Sequence, residues 1–70
     1  MGFGSAAVPG LMAALNDKDD ELRVYAAHAL GELKEVLALP ALEKLSQDPV
    51  ASCRAAATKS IQKISAVSPP

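Results

Sequence analysis

The chain has 70 residues, which suffices for one small domain that buries only about 60% of the surface its unfolded chain exposes. Its formal net charge of −1 gives no general attraction for DNA or RNA, which proteins bind by neutralising phosphates with clustered Lys and Arg. Its apolar runs are far shorter than the roughly 20 residues that span a bilayer. The composition predicts one domain over residues 1–70, with neither nucleic acid nor a membrane as partner.

The cysteine count and the charge distribution add two expectations. Cys53 is the single cysteine, so no internal disulfide can form, and no signal peptide is recognisable. We therefore expect the cytoplasm or another reducing compartment. Residues 1–35 hold six acids and three bases, whereas residues 36–70 hold four bases and two acids, so the two halves carry opposite net charge.

The first half predicts two helices, at about residues 5–16 and 19–35. Ser5 is expected to cap the first helix, and Pro9 is expected within its first turn, where the backbone N–H has no intrahelical partner. After a polar turn, Asp19 is the expected N-cap of the second helix. The helical spacing is carried by apolar residues at i, i+3, i+4 and i+7, namely Val8, Leu11, Met12 and Leu15, then Leu22, Ala26, Ala29, Leu30 and Leu33.

The second half repeats the first at an offset of 31 residues. It predicts helices at about 37–46 and 49–65, with Asp48 as N-cap and Pro49 at the first helical position. Residues 66–70 are expected to form a flexible tail, because Ser68-Pro69-Pro70 cannot continue a helix. The offset pairs Pro9 with Pro40, Leu11 with Leu42, Asp17 with Asp48, Leu22 with Cys53, Arg23 with Arg54, Ala26 with Ala57, and Leu33 with Ile64.

These residues resemble a known family. Pro9, Leu11 and Leu15 in the first helix, Asp17 in the turn, and Leu22-Arg23, Ala26-Ala27 and Ala29-Leu30-Gly31 in the second helix are similar to the HEAT repeat, particularly the short HEAT-like repeats of the phycobilisome lyase type. The second unit is more degenerate, with Ser46 and Gln62 replacing a leucine and the glycine. The resemblance implies an all-α fold, an α-α superhelix (solenoid) of two HEAT-like helical hairpins with four helices, at about 5–35 and 37–65.

The resemblance also implies roles for two sets of residues. Asp17, Arg23, Asp48 and Arg54 are expected to form a structural hydrogen-bonded ladder that fixes how the hairpins stack. The second helix of each hairpin is expected to line a concave recognition surface. On that surface we predict a protein-binding site made of Tyr25, His28, Glu32, Lys59 and Lys63.

The sequence offers no constellation for catalysis, which needs a nucleophile with its base, paired carboxylates in a pocket, or converging metal ligands. His28 is interpreted first as a solvated residue, and Cys53 as a buried hydrophobic residue. The acids from Asp17 to Glu21 lack the spacing of a calcium-binding loop and fit a helix start better. We therefore expect no enzyme activity, no cofactor and no metal.

Three functions remain open at this stage. The first is a non-enzymatic adaptor or scaffold that binds another protein through the second-helix face or an open end of the stack. The second, resting on family analogy alone, is an accessory subunit of a bilin lyase or a phycobilisome-associated factor. The third is a self-assembling repeat unit, or a fragment of a longer array, because about three repeats are usually needed to cover one another.

Overall fold

The computed structural model describes residues 3–66, and side chains from Val8 onward. Within that range the fold is all-α, with no strand, and consists of two stacked helical hairpins, as the sequence predicted. The first hairpin joins α1 (Phe3–Ala14) to α2 (Asp20–Glu32). A short 3₁₀ turn (Val36–Ala38) leads into the second hairpin, which joins α3 (Leu39–Leu45) to α4 (Ala51–Ser65). Residues 67–70, most of the expected tail, lie outside the described range.

The start of α1 differs from the prediction. The helix begins at Phe3, so Ser5 lies inside it and is not its N-cap. Pro9 is therefore in the helix interior, beyond the first turn. A proline there removes one backbone hydrogen bond and crowds the preceding turn.

The start of α2 is confirmed, but its end is not. Asp19 is the N-cap and accepts a hydrogen bond from the Glu21 N–H at 3.0 Å. The helix ends at Glu32 and not near residue 35, because Lys34 adopts a left-handed conformation with φ of 55°. The Glu35 N–H then bonds to the Leu30 carbonyl and the Lys34 N–H to the Gly31 carbonyl. This is the Schellman closure, with lysine at the position that glycine usually occupies.

The start of α4 also differs from the prediction. Asp48 is not the N-cap and Pro49 is not the first helical residue, since α4 begins at Ala51 after Val50. Asp48 instead accepts a hydrogen bond from the Val50 N–H at 2.9 Å, which closes the turn ahead of the helix. The Asp48 side chain is thereby held at the boundary between the two hairpins.

The core lies where α2 packs against α4, with α1 packed on α2 and α3 on α4. Leu30, Leu42 and Ile64 are its largest fully buried apolar side chains. Around them small residues allow close packing of the helices. A Cβ built on Gly31 would lie 2.7 Å from the Ser60 Oγ, and that hydroxyl donates to the Ala27 carbonyl at 2.6 Å. The closest helix crossing therefore depends on Gly31.

Two expected core residues of the first hairpin are exposed. Leu22 is 42% exposed and Leu33 is 43% exposed, whereas their partners at the 31-residue offset, Cys53 and Ile64, are buried. The first hairpin covers Cys53 and Ile64, whereas no described element covers Leu22 and Leu33 to the same extent. Leu22 and Leu33 therefore lie at an open end of the described stack.

Candidate protein-binding site

The two hairpins are joined by a charged contact at their turns. Arg23 Nη1 donates to the carbonyls of Asp17 and Lys18, at 2.6 and 3.1 Å. Its Nη2 donates across the hairpin boundary to Asp48 Oδ2, at 3.2 Å. One guanidinium thus closes the turn of its own hairpin and binds the turn of the next, which its planar set of N–H donors allows.

Asp48 receives this contact as an anion. The Val50 N–H hydrogen bond, followed by the hydrogen bond and positive charge of Arg23, lowers the pKa of Asp48 below its ordinary value. Arg54 repeats the first half of the arrangement, since its Nη1 donates to the carbonyls of Asp48 and Pro49, at 2.8 and 3.0 Å. Within residues 3–66 no carboxylate stands opposite Arg54, and no arginine reaches the Asp17 carboxylate.

A second ion pair links α2 with α4 on the exposed side of the second helices. Lys63 Nζ donates to Glu32 Oε2, and both side chains are well exposed. The hydrogen bond from Lys63 and its positive charge lower the pKa of Glu32. Glu32 and Lys63, two of the predicted site residues, therefore contact each other.

An open groove of about 880 Å³ runs along α4 beside the predicted site. His28 and Lys59 line it, whereas Tyr25, Glu32 and Lys63 do not. Most of the other lining residues are small or polar: Val24, Ser46, Ala51, Ser52, Arg54, Ala55, Ala56, Thr58 and Gln62. We call this surface the α4 groove. Since Arg54 and Lys59 line the groove and no acidic residue does, this wall is positively charged.

Tyr25 lies at the edge of this surface. It is 64% exposed, while its partner at the 31-residue offset, Ala56, is 3% exposed and packed in the core. Tyr25 therefore belongs to the side of α2 that corresponds to the buried side of α4. The structure thus brings together His28 with Lys59 and Glu32 with Lys63, and it separates Tyr25 from the groove lining.

A family profile described as HEAT repeats matches residues 2–62. The chain belongs to the HEAT repeat family. HEAT repeats commonly act as protein-interaction modules. Comparison with curated proteins and with solved structures gave no significant match.

The sequence reasoning missed part of the groove wall of this HEAT stack. Ser46, Ala51, Ser52 and Thr58 line the groove but were not named as candidates. A signal was present, because Ala51, Ala55, Thr58 and Gln62 follow one face of α4 at helical spacing and are small or polar. Small residues on an exposed helix face leave room for the side chains of a partner.

The remaining chemical groups of the HEAT stack are dispersed. Within residues 3–66 no group of three or more His, Cys, Asp and Glu side chains is placed to hold a metal ion. The Cys53 thiol is buried and donates to the Asp20 carbonyl at 3.6 Å. Among the described helices, none has both the length and the apolar character needed to cross a bilayer.

Proposed function

We propose that this HEAT chain is a non-enzymatic adaptor that binds an acidic segment of another protein in the α4 groove. The observation that supports this proposal is the combination of an open groove with a wall that carries cations and no acids. The second helices of both hairpins, α2 and α4, form that groove. They are also the helices that line the recognition surface expected from the family.

The shape of the groove favours a protein segment as ligand. Its volume of about 880 Å³ is spread over an open surface rather than an enclosed cavity, and Ala51 and Ala55 leave space along its floor. An amphipathic helix can place its side chains in such a groove, with anchors at i, i+3 or i+4, and i+7. Burial of those anchors would supply most of the affinity, as in other helix-in-groove interfaces.

The charges favour an acidic partner. Lys59 lines the groove and forms no ion pair within residues 3–66, whereas Lys63 is engaged by Glu32. A carboxylate of the partner would pair with Lys59 without breaking an existing contact. His28 lies on the opposite wall, and we propose that it donates a hydrogen bond to the same segment. Tyr25, Glu32 and Lys63 would form the rim, where contacts affect the association rate more than the affinity.

A capture experiment with charge-reversed variants tests this proposal. Wild type, a Lys59→Glu/Lys63→Glu variant and a Lys18→Glu/Lys44→Glu variant would each be used as bait in lysate of the source cells. The two variants have the same net charge, but Lys18 and Lys44 lie outside the groove. We expect a protein retained by wild type and by the Lys18/Lys44 control, and lost by the Lys59/Lys63 variant. Equal retention by all three chains would exclude the groove as the binding site.

Two narrower proposals go with the adaptor function. A reducing compartment such as the cytoplasm fits the buried free thiol of Cys53. An accessory role in a bilin lyase rests on the resemblance to the phycobilisome lyase type of repeat and stays a prediction. Visible absorbance that appears when the chain is mixed with bilin and an acceptor protein, but not without the chain, would support that role.

A further inference from the structure

The open end of the first hairpin presents a connected apolar surface. Leu22, Tyr25 and Leu33 are 42%, 64% and 43% exposed, and with Ala29 they follow one face of α2 at helical spacing. We call these four residues the N-terminal end face. Three large exposed apolar side chains on one helix face of so small a domain mark an interaction surface rather than scattered exposure.

The chain itself shows what kind of surface covers such a face. At the 31-residue offset the end-face residues correspond to Cys53, Ala56, Ser60 and Ile64, which are all buried against α2. The side of α2 that covers them contains small and polar residues such as Ala27, Gly31 and Arg23. An apolar stripe of a second helix is therefore covered, in this fold, by a neighbouring second helix of mixed composition.

The far end of α4 presents a surface of that composition. At the same offset, Arg23, Val24, Ala27 and Gly31 correspond to Arg54, Ala55, Thr58 and Gln62, and all four of these are exposed. We call them the C-terminal end face. Arg54 makes with Nη1 the two carbonyl contacts that Arg23 makes in its own turn, and among the described residues its Nη2 has no hydrogen-bond partner.

We propose that a second copy of this chain stacks head to tail, with its N-terminal end face against the C-terminal end face of the first copy. The contact between the two copies would then repeat the contact between the two hairpins inside each chain, one 31-residue offset further along. The C-terminal end face shares Arg54, Ala55, Thr58 and Gln62 with the α4 groove, so a stacked copy and a groove ligand would occupy the same surface.

Charge complementarity supports this arrangement at two points. Arg54 of one copy would meet Asp17 of the next, as Arg23 meets Asp48 inside the chain. Asp17 already accepts the Asp19 N–H through Oδ1 in the same turn geometry that Asp48 uses. Lys63 of one copy, already paired with its own Glu32, would also lie near Glu32 of the next copy, because the two residues occupy the same position of the two repeats.

The apolar contacts fit less closely than inside the chain. Ala56 borders the α4 groove near Val24 and His28, so Tyr25 of the second copy would lie beside Ala55 and Lys59, where the groove provides room. Gln62 stands at the position of Gly31, and the internal contact leaves no space there even for a Cβ. The two copies therefore cannot approach as closely as the two hairpins, and their association is weaker than the internal contact.

A head-to-tail contact is heterologous, so each added copy leaves one free face of each kind, and assembly continues unless the rotation closes a ring. This distinguishes it from a symmetric pair of N-terminal end faces, which would stop at a dimer and would place two Asp17 carboxylates on the same interface. Assembly would also bring Tyr25 into the groove of its neighbour, so it would compete with a groove ligand.

Sedimentation velocity over a concentration series tests the proposal with wild type, Asp17→Arg and Arg54→Asp. Each single variant places like charges at the junction and removes one charge-assisted hydrogen bond. We therefore expect self-association to weaken about tenfold or more. In an equimolar mixture every junction between unlike variants carries an Arg–Asp pair, so we expect the mixture to associate far better than either variant alone. Circular dichroism at low concentration shows that each variant is folded.

Three results would overturn head-to-tail stacking. One is a wild type that stays monomeric at every concentration. Another is a wild type that stops at a dimer and is insensitive to both substitutions. The third is a mixture that associates no better than the single variants. Asp17 lies outside the α4 groove, so the effect of Asp17→Arg on stacking is separable from the loss of a groove ligand in the capture experiment.

Discussion

Arg23 of the first hairpin binds the Asp48 carboxylate of the second through Nη2, at 3.2 Å, and both side chains are largely shielded from solvent. Arg54 makes the same two turn contacts as Arg23 but, within residues 3–66, has no carboxylate across a hairpin boundary. The same substitution at Arg23 and at Arg54 can therefore be compared. The difference between the two separates the free-energy cost of losing a turn contact from that of losing the contact between the hairpins.

We expect Arg23→Gln to lower the free energy of unfolding more than Arg54→Gln does. Both substitutions remove an arginine that donates to two turn carbonyls, but only the first leaves the shielded Asp48 carboxylate without its cation. Urea denaturation followed by circular dichroism measures the difference. Equal destabilisation by the two substitutions would show that the Arg23–Asp48 contact does not hold the hairpins together.

The stability of the wild type relative to Asp48→Asn should depend on pH. The Val50 N–H and Arg23 lower the pKa of Asp48 in the folded chain, so its charge stabilises the fold above the unfolded pKa of about 3.9. That contribution is lost as the pH falls through the lower, folded pKa. We expect the gap between the two chains to be largest near neutral pH and to close in acid. Because asparagine still accepts the Val50 N–H, a gap of constant size would contradict this origin.

Gly31→Ala should destabilise the chain by up to about 2 kcal/mol. A Cβ at Gly31 would lie 2.8 Å from the Ser60 Cβ and 3.0 Å from its Cα, and overpacking of this kind costs about 1–3 kcal/mol. That cost exceeds the gain of about 1 kcal/mol in helix propensity. Gly10→Ala is the matched control, because a Cβ there meets nothing within 4 Å. We expect Gly10→Ala to stabilise the chain, and a stabilising Gly31→Ala would refute the close crossing of α2 and α4.

Lys34→Gly should stabilise the chain by about 0.5–1 kcal/mol. Lys34 has φ of 55°, and the left-handed conformation costs a residue with a side chain about 1–2 kcal/mol. Glycine removes that cost, but its greater conformational entropy in the unfolded state offsets about 0.4–1 kcal/mol of the stabilisation. Lys44→Gly, in the last turn of α3, should instead destabilise, because glycine is a poorer helix former than lysine. Thermal or urea unfolding of both variants checks the sign of each change.

The sequence predicted the two hairpins because their apolar periodicity and the 31-residue offset are local signals. Asp19 was also predictable, since an N-cap needs only its own side chain and the next turn. Lys34 was not, because nothing about a lysine signals a left-handed residue. The shift of the α4 start from Pro49 to Ala51 depends on where the turn places Asp48 relative to Arg23 of the other hairpin.

The candidate site shows the same division between local and tertiary information. His28 and Lys59 were found because both are exposed polar residues of a second helix. Tyr25 was grouped with them because tyrosine is a residue type enriched at interfaces, yet its role in the stack depends on the buried position of Ala56 one repeat later. Exposure alone does not distinguish groove residues from open-end residues. The two are distinguished when the burial of each residue is compared with that of its partner 31 residues away.

Photo-crosslinking tests the groove proposal most directly. A photoreactive amino acid would be introduced at Thr58, which lines the α4 groove, and in a second chain at Glu43, which is exposed on α3 outside it. We predict that irradiation in lysate gives a discrete adduct with a partner protein from position 58, that position 43 gives none, and that Lys59→Glu abolishes the adduct. Adducts of equal yield from both positions, or an adduct from position 43 alone, would contradict binding in the groove.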